Sequence, residues 1–180
     1  MKKPQIKIFS AFSGIAGFEK GIIDAIGKRA VFVGYSDIDR YANMVYKKHF
    51  PKHINYGDIT KIDPKELPDF DLFCAGFSCQ PYSIAGKRRG LDDLRGQVVY
   101  DIFRILREKK PAMFLLENVK GLLSHNKGET IELICEELCD SGYVLDLDVL
   151  NSKNFGIAQS RERVFIVGVR LDLLNESQIY

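Results

Sequence analysis

Ile6-Lys7-Ile8-Phe9-Ser10-Ala11-Phe12-Ser13-Gly14-Ile15-Ala16-Gly17-Phe18 is a short apolar run that stops at a glycine-bearing turn and passes into an amphipathic stretch. Residues 6–12 read as a buried strand, residues 13–17 as a tight turn and residues 18–26 as a helix. The unit recurs. Residues 31–36 read as a second strand closed by Asp37, with a helix over 40–49 and a short strand expected over 55–58. Residues 72–75 form the strand ahead of Gly76-Phe77-Ser78-Cys79-Gln80-Pro81-Tyr82-Ser83. Glycines and charges make residues 87–96 a loop, and the helical period over 97–109 is ended by Pro111. A strand over 112–116, stopping at Glu117-Asn118-Val119, a helix over 130–141 and strands over 143–150 and 164–169 complete the series. Strands alternating with helices predict βαβ units, hence one doubly wound α/β domain over residues 1–180 with a mostly parallel sheet. No repeat, low-complexity segment or linker interrupts it.

With 180 residues, 46% of them hydrophobic, the chain can bury one full core. A net charge of +2 is too small to diagnose a nucleic-acid partner, so any basic surface must be local. The Met-Lys-Lys start leads into no secretory pattern, and no run reaches the ~18 apolar residues of a membrane span. The expected setting is cytoplasmic and reducing, with no membrane partner. Of the four cysteines, Cys74 lies inside an apolar strand as inert filler, and Cys135 and Cys139 stand four apart on a helix, both expected to point inward. His49, His53 and His125 are scattered without ligand spacing and are expected to be exposed. No metal site is predicted.

The unusual residues fall at strand ends, where open α/β sheets bind ligands. Cys79 puts a thiol in a turn just past a strand and is a candidate nucleophile. Gly14 and Gly17 let backbone approach a ligand at a helix N-terminus, although an ordinary tight turn reads the same way. Asp37 can accept from ribose hydroxyls and Asp58 from an adenine amino group; either can instead cap a helix. Glu117 arrives from an apolar strand with no cation beside it in sequence, a setting that suits a carboxyl to share or donate a proton. Arg161 and Arg163 flank Glu162 just ahead of the last strand.

Six segments, Phe12-Ser13-Gly14-Ile15-Ala16-Gly17-Phe18, Ser36-Asp37-Ile38-Asp39, Gly57-Asp58-Ile59-Thr60, the Cys79 loop, Leu116-Glu117-Asn118-Val119 and Gln159-Ser160-Arg161-Glu162-Arg163, span nearly the whole chain. In their order and spacing they resemble the catalytic domain of a DNA (cytosine-5)-methyltransferase. The resemblance implies a Rossmann-like S-adenosylmethionine-dependent methyltransferase fold, in a restriction-modification setting. It implies that Cys79 attacks carbon 6 of a flipped-out cytosine, Glu117 holds ring N3 and the exocyclic amine, and Arg163 holds O2 with Arg161 as supporting cation. S-adenosyl-L-methionine is expected against Phe12, Gly14, Ile15, Gly17, Asp37, Ile38, Asp58, Ile59 and Ser78. DNA phosphates are expected on Ser83, Lys87, Arg88, Arg89 and Arg95.

Two departures accompany the resemblance. Ser78 stands where the family has proline, which alters the stiffness of the Cys79 loop. The chain also stops at Tyr180, before the family's target-recognition domain and the segment that returns beside the first strand. Three readings follow. The chain is the catalytic subunit of a split enzyme with a second chain as partner, or a truncated S-adenosylmethionine-binding module, or a methyltransferase acting on tRNA; the Cys79 loop resembles the DNA enzymes more. Ile22, Ile23 and Ile26 on the first helix are expected to lack part of their cover.

Overall fold

The computed structural model describes residues 3–77 and 98–175. Strand β1 (Ile6–Ala11) is followed by helix α1 (Gly17–Ile26), strand β2 (Ala30–Ser36) and helix α2 (Arg40–His49). Strand β3 (Leu72–Gly76), helix α3 (Val98–Lys109), strand β4 (Met113–Val119) and helix α4 (Glu129–Asp140) come next. Strands β5 (Tyr143–Asn151) and β6 (Glu162–Arg170) close the fold.

The six strands form one sheet in the order β2-β1-β3-β4-β6-β5. Pairings among β2, β1, β3 and β4 are parallel, whereas β6 runs antiparallel to both β4 and β5. Five strands therefore share a direction, and β6 alone opposes it. That reversal brings the start of β6 to the same edge as the ends of the parallel strands.

Side chains alternate across the sheet. One face presents Phe9, Phe73, Phe114, Leu116, Val164 and Ile166, which join Ile102, Phe103 and Leu106 of α3 and Leu138 of α4 in the main core. Burial of each large side chain there contributes about 1.5–3 kcal/mol. On the opposite face Tyr35 stacks on Tyr46 of α2 with ring centroids 3.7 Å apart, and Ala16 packs against both. This face is only partly covered. Met113 is 37% exposed, Val119 46% and Val167 39%, and Ile22, Ile23 and Ile26 of α1 are half-buried.

Four expectations are corrected. Residues 55–58 are not a strand; only a single bridge joins Tyr35 to Asn55, because the Asn55 amide oxygen accepts from the Gly57 N–H and turns the chain. The strand expected to stop at Glu117 continues to Val119, since β6 pairs with it as far as Val119 opposite Arg163. Cys139 is exposed rather than inward, while Cys135 is half-buried. His53 and His125 are half-buried, His53 because its ring packs between Phe50 and Phe32. Cys74 is fully buried, and burial pushes its thiol well above the ordinary range. Among the described residues no helix is long and apolar enough to cross a membrane, and no cluster of His, Cys, Asp and Glu could hold a metal ion.

Candidate active site at the strand-end edge

The turn between β1 and α1 carries three left-handed residues in five positions: Phe12, Gly14 and Ala16, with φ of 53°, 54° and 77°. Two of them bear side chains, so surrounding contacts must hold the shape. They do. Ser13 Oγ donates to the Ser10 carbonyl at 3.1 Å, the Ala16 N–H donates to the Ser13 carbonyl at 2.9 Å, and the Gly14 N–H donates to Asp37 Oδ2 at 2.7 Å. Ala16 supplies no side-chain cap to α1, so the helix begins without the usual capping oxygen at its positive end. Above Gly14 and Gly17 an added Cβ would meet nothing within 4 Å.

Asp37 follows β2 and is anchored on every side. Its Oδ1 accepts from the Asp39 N–H at 2.8 Å, and its carbonyl accepts from both Asn43 Nδ2 and Asn55 Nδ2 at 3.0 Å. Each carboxylate oxygen keeps a second lone pair for a hydroxyl donor. Asn43 and Asn55 are site-building residues that sequence reading missed; neither stands in a motif, and only the fold brings them to Asp37. Asp58 is a cap, accepting from the Thr60 N–H at 3.1 Å and the Thr60 hydroxyl at 2.8 Å. Those bonds, the hydroxyl's first, hold its carboxyl below the usual range. The Ile59 side chain is in the core at 3% exposure, so only its backbone is left to face a ligand. Ile15 and Ile38 are exposed at 66% and 75%.

Glu117 has the cation that its neighbours in sequence lack. Arg163 Nε lies 2.8 Å from Glu117 Oε1, with about a fifth of each side chain exposed. The pair forms because β6 runs antiparallel to β4, which sets Phe165 opposite Glu117 and Arg163 opposite Val119, one step along the same face. Gly76 sits beside Glu117 in the β3–β4 register, and a Cβ there would come within 3.3 Å of Glu117 Oε2. Glycine at the end of β3 thus leaves room for the carboxylate.

Two hollows flank this pair. One of about 590 Å³ is lined by Phe12, Gly17, Phe18, Gly76, Glu117 and Phe165. The other, of about 370 Å³, is lined by Glu117, Leu150, Phe155, Ile157, Arg161 and Arg163. Glu117 borders both.

Ser78, Cys79, Ser83, Lys87, Arg88, Arg89 and Arg95 lie outside the described residues. The last described residue ahead of them is Phe77, whose carbonyl accepts from Asn118 Nδ2 at 2.9 Å. Asn118 is 2% exposed and is a third residue that the sequence reading passed over, although it stands in the segment that was singled out for Glu117. The structure brings together Phe12, Gly17, Glu117, Arg161 and Arg163 around the two hollows, and links Gly14 to Asp37. Neither hollow is lined by Asp58 or Ile38.

The chain matches known proteins over most of its length. The orphan methyltransferase M.Rho11sI of Bacillus phage rho11s is 43% identical over 176 residues, covering 97% of this chain and 35% of that protein. The type II methyltransferase M.NgoBI of Neisseria gonorrhoeae is 45% identical over 162 residues, 90% of this chain and 50% of that protein. Among solved structures, the S. pombe Dnmt2 methyltransferase superposes with a TM-score of 0.77 at 27% identity, over 96% of this chain and 53% of that one. The chain spans between 35% and 53% of the length of these three proteins. A family model described as C-5 cytosine-specific DNA methylase matches residues 6–180, so the chain belongs to that family.

Proposed function

We propose that this chain carries the catalytic domain, residues 1–180, of an enzyme that methylates carbon 5 of cytosine in DNA. The observation that carries the reading is the Glu117–Arg163 pair at 2.8 Å, set on the sheet edge between the two hollows and beside the end of β3. Cys79 follows β3 by three residues in sequence.

The residues present suit an adenosine-bearing cofactor. Phe12 and Gly17 line the larger hollow, the first N–H groups of α1 lack a side-chain cap, and Asp37 has lone pairs for ribose hydroxyls. Gly14, Ile15, Ile38, Asp58, the backbone of Ile59, and Ser78 complete the proposed set. S-adenosyl-L-methionine, when bound, supplies a methyl group on a sulfonium that is electrophilic toward a ring carbon.

Carbon 5 of cytosine is too weak a nucleophile to react unaided. The Cys79 thiolate adds to carbon 6, forming an S–C bond and shifting the ring electrons toward carbon 5. Glu117 shares a proton with N3 and accepts from the exocyclic amine, which stabilises the ring as the thiolate adds. Arg163 reaches O2, with Arg161 adding positive charge from the same hollow. Once carbon 5 is methylated, its proton is lost to a base and the S–C bond breaks, freeing the Cys79 thiolate. The target cytosine must leave the duplex to reach this edge. Ser83, Lys87, Arg88, Arg89 and Arg95 are placed on its phosphates. The type II names among the relatives support a restriction-modification role, and we place the enzyme in the cytoplasm.

The half-open sheet face at Met113, Val119 and Val167 supports a further covering element, and we place there either more of the same polypeptide or a second chain that also selects the DNA sequence. The test is covalent trapping on duplex DNA containing 5-fluorocytosine, with S-adenosyl-L-methionine present and the recognition part supplied. An adduct surviving denaturation in wild type and absent in Cys79→Ser supports the reading. A chain that binds S-adenosyl-L-homocysteine yet forms no adduct under those conditions is a binding module, and the catalytic reading fails.

A further inference from the structure

Glu19, on the first turn of α1, is completely buried. Its Oε1 lies 3.0 Å from the Tyr46 hydroxyl, and among the described residues Oε2 has no hydrogen-bond partner. The Tyr46 hydroxyl also lies 3.1 Å from His53 Nδ1. The His53 ring sits against Phe50 and Phe32, with centroids 4.8 and 5.5 Å away. One tyrosine therefore joins a buried acid to a half-buried base.

An ionised Glu19 here would be a fully buried charge faced only by neutral donors, the hydroxyls of Tyr46 and Ser10 and its own backbone N–H, which is costly. The groups facing it are Ser10 on β1, Tyr35 on β2, Cys74 on β3 and Tyr46 on α2, none of them a cation. Burial is the dominant cause in raising the Glu19 carboxyl and in lowering the His53 imidazole. Both directions favour the uncharged pair. The hydroxyl of Tyr46 has a single proton, so it can donate to one neighbour only. With Glu19 protonated, Glu19 donates to the Tyr46 oxygen, Tyr46 donates to His53 Nδ1, and the imidazole proton sits on Nε2. With Glu19 ionised the chain reverses, and Nδ1 must bear the proton.

We propose that Glu19, Tyr46 and His53 form a one-proton clamp, with the proton on Glu19, that positions the turn over residues 13–17. Tyr46 holds both parts of that turn's support: its ring packs on Ala16, and its hydroxyl meets Glu19 one turn into α1. Ala16, left-handed with φ of 77°, is the residue of the turn that this support reaches. The consequence for cofactor affinity rests on the reading under Proposed function; the clamp does not.

The experiment uses the full chain labelled with ¹³C and ¹⁵N. Long-range ¹H–¹⁵N correlations report the His53 tautomer, carboxyl ¹³C shifts report Glu19, and amide exchange reports residues 13–17. The expected result is a proton on Nε2 of His53 and a Glu19 carboxyl still protonated where the surface glutamates are ionised. E19Q keeps that tautomer and slow exchange, because the amide donates to Tyr46 as the acid does. Y46F removes the hydroxyl that fixes the His53 tautomer, so both tautomers become populated; it also speeds exchange over residues 13–17 about tenfold and weakens S-adenosyl-L-homocysteine binding about tenfold. A wild-type His53 with its proton on Nδ1, flipped by E19Q, overturns the proton placement. Unchanged exchange in Y46F overturns the positioning role. If wild type binds no S-adenosyl-L-homocysteine, the cofactor reading fails, while tautomer and exchange still decide the clamp.

Discussion

Gly168→Ala tests the packing that holds the two halves of the proposed catalytic pair in register. Gly168 lies in β6 opposite Phe114 of β4, and a Cβ built there meets Phe114 Cε1 and Cζ at 2.2 Å and Cδ1 at 2.8 Å. Ordinary contact begins at 3.4 Å, so the ring or the strand must move by more than an ångström. Phe114 is fully buried and braced edge-on by Tyr143 at 5.0 Å, which leaves the ring no open side. Overpacking of this kind costs about 1–3 kcal/mol. The smaller conformational freedom of alanine in the unfolded chain returns about 0.4–1 kcal/mol. The midpoints of the two ranges leave a net loss of about 1.3 kcal/mol, which lowers Tm by roughly 3–5 °C in a chain of this size. Gly21→Ala is the matched control: it lies in α1 with nothing within 4 Å of its Cβ, so helix propensity alone raises stability by about 1 kcal/mol. Calorimetric melts of both variants against wild type decide the matter. A Gly168→Ala melt at or above wild type would refute the packing argument.

Three further outcomes are expected. Arg163→Ala lowers the rate of adduct formation with 5-fluorocytosine DNA on the order of a hundredfold, read by quenched time points on denaturing gels, because Glu117 and O2 lose one donor together. Asn118→Ala leaves the Phe77 carbonyl without its buried partner, costing about 1–3 kcal/mol and slowing the adduct about tenfold, with melts and trapping measured on the same sample. Asp58→Asn flattens the acid limb of stability: the carboxyl is held low chiefly by the Thr60 hydroxyl, so its contribution is present above the ordinary carboxylate range and lost as pH falls through the depressed folded value. Melts from pH 2 to 6 should converge for wild type and Asp58→Asn at the acid end, by the loss of that contribution.

Local pattern was enough for most of the elements. Arg40–His49 appears as read, and the other helices differ from their expected bounds by one residue at an end or two, because apolar period and caps act within a few residues. The segment after α2 failed because one side chain, Asn55, turns the backbone in place of a ladder. Nothing in residue order says that β6 inserts between β4 and β5, yet that insertion decides where Arg163 lands. For the same reason Glu117 looked isolated: its cation is a neighbour across strands, and cross-strand pairs have no period to read. Asn43 and His53 were illegible because their partners come from different elements that only the fold brings together, and Asn118 because the carbonyl it meets lies 41 residues away.

The lone reversed strand also bears on how the chain reaches its fold. β5 and β6 form an antiparallel pair joined by a connection of ten residues, 152–161, and β4 pairs with β6 next to it. Closing so short a loop costs little entropy, and hairpins form in about 1–10 μs. The pairing of β1 with β3 must instead wait until α1, β2 and α2 have been gathered between them. The arginine-bearing side of the edge is therefore expected to organise early, with the glycine turn docking onto strands already paired.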